Sequence, residues 1–305
     1  MVLIRRTSLA LEQLNVTRVH GDLSDLQSLR RAFNGVDQVY HLAAYISIQS
    51  GDYEKLQSIN IDGTRNVIKA CQLEAVSTLI YFSSIHALDQ KPLDEEVTEE
   101  NQLLRRGQNR GADYDHSKAQ ADRLVRENSG QFLSTRIIYP SGVFGPNDFN
   151  QSLFGQAIQK MAQGRLPALV AGGFNWVDAR DVAWGAVEAA EKGTNNDRYI
   201  LSGHYLSMTE VAGVIAELTG IGAPRFICPL WLARLFAPLM GVWASLRGEV
   251  PLYTQDSLTA LSGNKTISHL KATTMLAYQP RSFRSTMQDA LLFYSKQGPP
   301  PVTQD

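Results

Sequence analysis

Tyr114 and Lys118 stand four residues apart in the segment Tyr-Asp-His-Ser-Lys. On a helix that spacing stacks both side chains on one face, one turn apart. A lysine ammonium beside a phenol stabilises the phenolate and lowers the tyrosine pKa, which makes the tyrosine usable as an acid or base near neutral pH. Taken alone, the pair is equally the mark of a surface contact. It is not alone, because upstream a β-branched run ends in Tyr81-Phe82-Ser83-Ser84-Ile85-His86. A hydroxyl at the carboxyl end of a parallel strand faces the ligand crevice of a doubly wound sheet. Ser84 would there hydrogen-bond a substrate oxygen while Tyr114 moves the proton. The plainer reading of Ser83 and Ser84 is capping or turn formation. His86 follows the same strand and is a candidate for facing substrate, against the ordinary role of a loop hydrogen-bonder. His116 lies inside the Tyr/Lys motif, but its i+2 offset turns it away from that face, so it reads as structural. Asp178 and Asp181 resemble a carboxylate pair but read as groups that orient loops and helix starts.

Such residues need a scaffold, and the first half of the chain supplies its pattern. Short apolar, β-branched runs (Val2–Arg6, Val16–Leu23, Gln38–Ala44, Ser77–Ser84 and Ser134–Gly145) alternate with helical patterns at Asp25–Asn34, Ile59–Glu74 and Asp113–Asn128, Ser24 serving as the cap of the first. Strands separated by helices imply parallel βαβ units with right-handed crossovers. The runs are apolar on both faces, as a sheet covered by helices on both sides requires. The second half is less regular. Ser152–Gln163 reads as a helix, the stretch 166–203 as strand, helix and strand returning to the sheet, and Ser207 with Glu210 as a capping box. The division expected is a dinucleotide-binding region at 1–148, a substrate-binding region at 149–297 and a disordered tail at 298–305.

The 305 residues carry a net charge of −1, so no global field points to nucleic acid or to an anionic membrane. Two cysteines, Cys71 and Cys228, make no ligand cluster, so no metal site is expected. Such sparse use fits a reducing, cytoplasmic setting. The apolar stretch Phe226–Leu246 is long enough to cross a bilayer, but it contains Arg234, Pro229 and Pro238. It reads as an amphipathic cap over a pocket, with membrane contact as the alternative.

Further motifs follow in chain order: Gly21-Asp22-Leu23, His41-Leu42-Ala43-Ala44, Asn60 within NIDGT, Tyr139-Pro140-Ser141-Gly-Val-Phe-Gly145, and Trp176-Val-Asp178-Ala-Arg-Asp181. With Ser84, Tyr114 and Lys118 they resemble the extended short-chain dehydrogenase/reductase family, of the NAD-dependent epimerase/dehydratase type. VLIRRTS near the start and ISHLKA…LAYQPR near the end resemble its dihydroflavonol-4-reductase-like branch. The resemblance runs from about Val2 to Gln297 and implies a Rossmann-like, doubly wound parallel α/β sheet with a smaller mixed C-terminal substrate domain. It makes Ser84, Tyr114 and Lys118 the catalytic triad. Tyr114 exchanges a proton with the substrate, Lys118 holds the nicotinamide ribose and lowers the tyrosine pKa, Ser84 orients the substrate oxygen, and Asn60 supports the site. It places Asp22, beside Leu23, at the adenine and lines the cofactor with Leu42, Ala43, Ala44 and Ser83. Tyr139, Pro140 and Ser141 then form the loop against the nicotinamide. Arg5 and Arg6 end the first strand where an acid would hold the ribose of NAD and an arginine the 2′-phosphate of NADP. The cofactor expected is therefore NADP, with NAD as the alternative.

One part of the family pattern is absent. No GxxGxxG turn occurs anywhere in the sequence, and the chain opens at what the resemblance makes the second strand, Val2–Arg6. That turn and the helix behind it hold the pyrophosphate. The expectation is a sheet lacking its central strand, whose neighbours either pair directly or leave an open edge. A truncated reading frame or a decayed paralogue would account for it. Three functions compete: a nicotinamide-dependent reductase or dehydrogenase of a small, apolar hydroxy or keto compound, a nucleotide-sugar epimerase or dehydratase, and a non-catalytic binding protein. A small-molecule partner is expected, and the resemblance suggests a homodimer or a monomer.

Overall fold

The computed structural model describes residues 1–47, 52–105, 113–237 and 254–297. The tail at 298–305 and the later part of the long apolar stretch, 238–246, lie outside the described residues. In chain order the N-terminal elements are β1 (Val2–Ile4), β2 (Arg18–His20), α1 (Leu26–Phe33), β3 (Gln38–His41), α2 (Tyr53–Leu56), a π-helical turn (Gln57–Asp62), α3 (Gly63–Leu73), β4 (Thr78–Phe82), α4 (Asp113–Glu127), β5 (Ser134–Pro140) and β6 (Gly142–Phe144). There follow α5 (Leu153–Ala162), β7 (Ala168–Val170), β8 (Gly173–Asp178), α6 (Ala179–Lys192), β9 (Asp197–Leu201), β10 (His204–Ser207), α7 (Met208–Thr219), β11 (Phe226–Cys228), α8 (230–237), α9 (Gln255–Ala260), α10 (Leu270–Leu276) and α11 (Phe283–Gln297).

The centre is a parallel sheet of order β3-β4-β5-β9. Successive side chains of a strand point to opposite faces, and here both faces are core. Leu79 and Tyr81 of β4, Ile137 and Tyr139 of β5 and Ile200 of β9 pack with helices α1, α3 and α4. Ile80, Ile138, Tyr199 and Leu201 pack with α6 and α10 on the other side. This is the α/β, doubly wound arrangement that the unbroken apolar runs require. A second sheet, β10-β8-β6, carries a core of its own. There Phe144, Trp176, Ile158, Val211 and Met287 meet beneath α5, α7 and α11.

The N-terminal strands do not join the central sheet. β1 pairs in parallel with β2, and β1 and β3 share no ladder among the described residues. Of the two outcomes expected from the sequence, direct pairing is thus not found. Side chains and helices hold the small sheet instead: Leu3 and Val19 pack on the main core, and Leu23 rests on Gly63, where an added Cβ would come within 3.1 Å of it. Asn66 donates to the Leu23 carbonyl at 2.8 Å, and Arg30 pairs with Glu74 at 2.7 Å.

Three local expectations are revised. Asp25, not Ser24, caps α1 by accepting from the Gln27 amide, because Ser24 is spent on Asp22. The helix expected at Ile59–Glu74 starts earlier and contains the π-helical turn. Of the strands within 166–203, only β9 joins the central sheet; β7 pairs with β11, and β8 with β6 and β10. By contrast, the Ser207–Glu210 capping box has both its hydrogen bonds.

Gly203 is the turn where the chain leaves the central sheet for the second one. Its amide donates to Asn175 at 2.9 Å, and an added Cβ would lie 2.1 Å from the Trp176 carbonyl oxygen. Because that obstacle is backbone, Gly203→Ala is expected to destabilise by about 1–3 kcal/mol through overpacking. Gly213 lies within α7 with nothing near it, so Gly213→Ala is expected to stabilise by about 0.5–1 kcal/mol. Equilibrium denaturation of the two variants checks the opposite signs.

Candidate active site

Helix α4 brings Lys118, Asp122 and Arg126 onto one face at i, i+4 spacing, against the ends of β4 and β5. All of Asp122 is buried, yet it is fully used: Ser83 donates to one oxygen at 2.7 Å, and Arg126 Nε donates to the other at 2.6 Å. Arg126 in turn donates to the Tyr139 hydroxyl at 2.5 Å. Lys118, 3% exposed, donates to the Phe82 carbonyl at 2.5 Å and stands over the Tyr81 ring. Burial pulls its pKa down to about 8, and the Asp122 carboxylate works in the opposite direction. Below it lies His41, held at 3.0 Å from Thr64. Burial, with the Lys118 charge second, pushes its pKa down to about 3, so the imidazole stays neutral at physiological pH.

Ser84 follows β4 in an extended conformation and caps a short 3₁₀ turn at Ile85–Ala87, its hydroxyl accepting from the His86 amide at 3.2 Å. The same side chain faces Tyr114 closely enough to favour its phenolate. The capping reading of Ser84 is thus realised, and its side chain also lines the cavity described below. Ser83 serves Asp122 instead. Tyr114 differs from the expectation drawn from its motif. Its pKa is raised, first by burial and then by the adjacent Asp115 carboxylate, against which the Ser84 contact acts. Burial therefore keeps Tyr114 a protonated phenol at neutral pH.

Asn60 sits in the π-helical turn, where one residue is added to the winding of the helix. Its side chain accepts from the Tyr45 amide at 2.7 Å and donates to the Tyr45 carbonyl and to Ser117 of α4, both at 2.9 Å. It clamps the loop after β3 to the helix that carries Tyr114 and Lys118, which makes it a positioning residue.

One cavity of about 1380 Å³ opens over this floor. Ser83, Ser84, His86, Tyr114 and Lys118 line it, together with Leu42, Ala44, Pro140 and Ser141. The lining also carries the apolar side chains of Phe154, Phe174, Trp176, Val182 and Ala186 and the charged ones of Asp89, Lys91, Asp115, Arg234 and Asp256. His86 stands 3.8 Å from Asp115 and packs on Phe174. The Ser141 hydroxyl is buried and has no hydrogen-bond partner among the described residues.

Other residues named from the sequence lie elsewhere. Tyr139 is a correction: it is fully buried, with its hydroxyl taken by Arg126, so it is core and not cavity wall. Ala43 is exposed outside the cavity lining, and Leu23 is the packing partner of Gly63. Asp22 accepts from the Ser24 amide at 2.9 Å and hydroxyl at 2.7 Å, which hold its carboxyl below the usual range. Arg5 and Arg6 border a separate, smaller cavity of about 410 Å³ with Thr7, Ser8 and Asn150. The sequence reading missed Asp122, although its place four residues after Lys118 was the available signal. It also missed Asp256, which lines the cavity and whose pKa is raised by burial and by Asp115 and Asp113.

Asp122→Asn would keep the shape but remove the charge that favours the Lys118 ammonium. The lysine pKa should then fall below about 8, so any step needing the ammonium should lose its rate at lower pH than in the wild type. Weakened contacts to Ser83 and Arg126 should also cost about 1–3 kcal/mol of stability. A pH–rate profile and a denaturation curve measure the two effects separately.

Among known proteins, residues 4–210 match the 3-beta hydroxysteroid dehydrogenase/isomerase family. Sterol demethylase protein B of Methylococcus capsulatus is 32% identical over 301 residues, covering 97% of this chain and 90% of the relative. A Synechocystis protein provisionally named a dihydroflavonol 4-reductase is 29% identical, covering 94% of this chain and 84% of its own length. The crystal structure of gox2253 superposes with a TM-score of 0.81 at 28% identity, covering 97% of this chain and 90% of that one. PA4631, a nucleoside-diphosphate-sugar epimerase from Pseudomonas aeruginosa, gives 0.77 at 24% identity, covering 97% and 89%, a likeness of fold alone. The family match over most of the chain, with a relative this similar across nearly all of it, makes the chain a member of the 3-beta hydroxysteroid dehydrogenase/isomerase family, a family of enzymes within the extended short-chain dehydrogenases/reductases.

Proposed function

We propose that the chain is a nicotinamide-dependent reductase of a bulky, apolar keto compound, with Tyr114 as proton donor. The observation that carries this reading is that Ser84, Tyr114 and Lys118 line one cavity together with the large apolar side chains Phe154, Phe174 and Trp176. Two relatives named for sterol chemistry, sterol demethylase protein B and an Arabidopsis thaliana 3beta-hydroxysteroid-dehydrogenase/decarboxylase, support a ring-shaped lipophilic substrate. The aromatic side chains Phe154, Phe174 and Trp176 of the lining suit a ring-shaped apolar substrate, which favours the reductase over the epimerase reading.

The nicotinamide end of a dinucleotide fits the residues present. Leu42, Ala44 and Pro140 offer apolar contact, Lys118 a cation for ribose hydroxyls, and the partnerless Ser141 hydroxyl a place for a carboxamide. When bound, that group would supply the hydride. Ser84 would hold the substrate carbonyl oxygen next to the phenol. Tyr114 would give its proton to that oxygen as the carbonyl carbon gains the hydride, and its raised pKa suits a donor and hence the reductive direction. Lys118 would supply positive charge close to the developing oxyanion. Arg5 and Arg6, both exposed at the end of β1, are the groups that would meet a 2′-phosphate, so NADPH is the cofactor proposed.

Titration with NADPH and NADH, followed by nicotinamide fluorescence, tests the cofactor part. Tighter binding of NADPH is expected, with Arg5→Ala and Arg6→Ala each weakening NADPH about tenfold and leaving NADH unchanged. Binding of neither cofactor would sink the reading and favour a non-catalytic protein. For the chemical part, Tyr114→Phe is expected to lower kcat at least 100-fold, within the usual range for a removed general acid, while cofactor affinity is kept. The wild-type rate should fall as pH rises through about 8, because the Lys118 ammonium is lost there while the Tyr114 phenol is still protonated.

A further inference from the structure

Two stretches of chain far apart in sequence share one part of the cavity lining. Gln90, Lys91 and Leu93 come from the loop that follows β4 and its short turn, and Leu261, Ser262 and Gly263 come from the segment after α9. Residues 89–96 form neither helix nor strand. A wall with no backbone ladder of its own keeps its shape only through ties to other groups.

Asn264 is that tie. It is 4% exposed, lies outside the lining, and stands 174 residues from Gln90 in sequence. Its side-chain nitrogen donates to the carbonyls of Glu95 at 2.6 Å and Gln90 at 3.2 Å, with the Pro92 carbonyl at 3.5 Å. Its Oδ1 accepts from the Thr266 amide at 2.8 Å, and its backbone amide donates to Gln90 Oε1 at 3.3 Å. The carbonyls of one loop thus converge on an NH2 group, which offers donors and no acceptor. Aspartate at this position would set lone pairs against lone pairs, and alanine would leave the carbonyls without a donor.

The grip extends in both directions. Gln90 Nε2 donates to the Ile85 carbonyl at 3.2 Å, inside the turn that Ser84 caps. Farther along the loop, Val97 donates to the Thr266 carbonyl at 3.0 Å and accepts from the Ser268 amide at 2.9 Å. We propose that Asn264 is a positioning residue for substrate: by fastening the loop to the C-terminal segment it fixes the wall on which a bulky ketone packs, and so sets how well a bulky substrate is held relative to a small one. The kinetic part of this proposal rests on the reductase reading.

The full chain is compared with Asn264→Ala, Asn264→Asp and the milder Gln90→Met, with circular dichroism as the check on folding. Reduction by NADPH is followed for a keto steroid, androstanedione, and for cyclohexanone, which is too small to span from Tyr114 to the loop. Both Asn264 variants should raise KM for the steroid about tenfold, with kcat within about twofold and KM for cyclohexanone unchanged. Gln90→Met should raise the steroid KM several-fold, and it carries the test if the Asn264 variants do not fold. Hydrogen exchange, measured without cofactor or substrate, should be at least about tenfold faster in the loop in the Asn264 variants and unchanged in α6. Unaltered exchange in the loop would overturn the proposal, as would an unaltered steroid KM. So would KM rising, or kcat falling, equally for both ketones, which is what a general loss of structure would give. A wild type that reduces neither ketone defeats the reductase reading alone. The positioning role is then read from binding of androstanedione, by quenching of tryptophan fluorescence, since Trp176 lines the cavity. Asn264→Ala should weaken that binding about tenfold; binding that is absent, or indifferent to Asn264, would refute the role as well.

Discussion

A lysine ammonium removed from water persists only where fixed dipoles and a counter-charge take over its solvation. Lys118 is in that position, and much of the site is arranged around it. The Phe82 carbonyl accepts its hydrogen bond, the Tyr81 ring faces it, and the Asp122 carboxylate supports the charge from one turn away. Asp122 is itself buried and must be neutralised in turn, which Ser83 and Arg126 do; Arg126 then orders Tyr139 in the core. The chain of contacts runs from the cavity floor through α4 into β5. Its consequence reaches His41, which lies below the lysine and is kept neutral partly by that charge. Moving any member of this set disturbs the electrostatics of the others, because in a low-dielectric interior each pair acts over a longer range than in water.

The small N-terminal sheet shows the opposite kind of organisation. Where β1 and β3 share no backbone ladder, helix packing carries the load, through α1 on α3, Leu23 on Gly63 and the Arg30–Glu74 pair. Side-chain contacts are short-ranged and less directional than a ladder, so they fix where the β1–β2 pair sits less stringently than hydrogen bonds fix β4 against β5. The residues assigned to the adenine end of a cofactor, Arg5, Arg6 and Asp22, all lie on this less firmly tied part. Those assigned to the nicotinamide end lie mainly on the central sheet and α4.

What could be read from the sequence, and what could not, follows the same physical division. The βαβ rhythm was legible because burial on both faces leaves unbroken apolar runs, as at β4 and β5. Ser84, Tyr114 and Lys118 were named from short motifs and Asn60 from the family resemblance; the structure brings the first three to one cavity and joins Asn60 to Ser117 of the helix behind it. Tyr139 was misread because a motif cannot say which way a strand residue points, and a shift of one residue moves a side chain from cavity to core. The direction of the Tyr114 shift was misread because the spacing announced the lysine and not the burial or the carboxylate of Asp115. The pairing of β7 with β11 was hidden because both strands are three residues long and their partner choice is set by distant packing.

The π-helical turn at Gln57–Asp62 has a further consequence for how this region can vary. Successive residues of an α-helix are rotated by about 100°, so an inserted residue shifts the phase of everything on one side relative to the other. Here that phase difference lets Asn60 address Ser117 and the Tyr45 backbone while Val67 and Ile68 stay in the core. Apart from Asn60, composition in such a turn can drift, since many side chains tolerate the winding. Its length cannot, because deleting one residue would swing either the asparagine or the core pair around the helix axis. The quantity preserved across descendants of this fold should therefore be a count of residues between two landmarks, a constraint that alignment scoring by residue type alone would overlook.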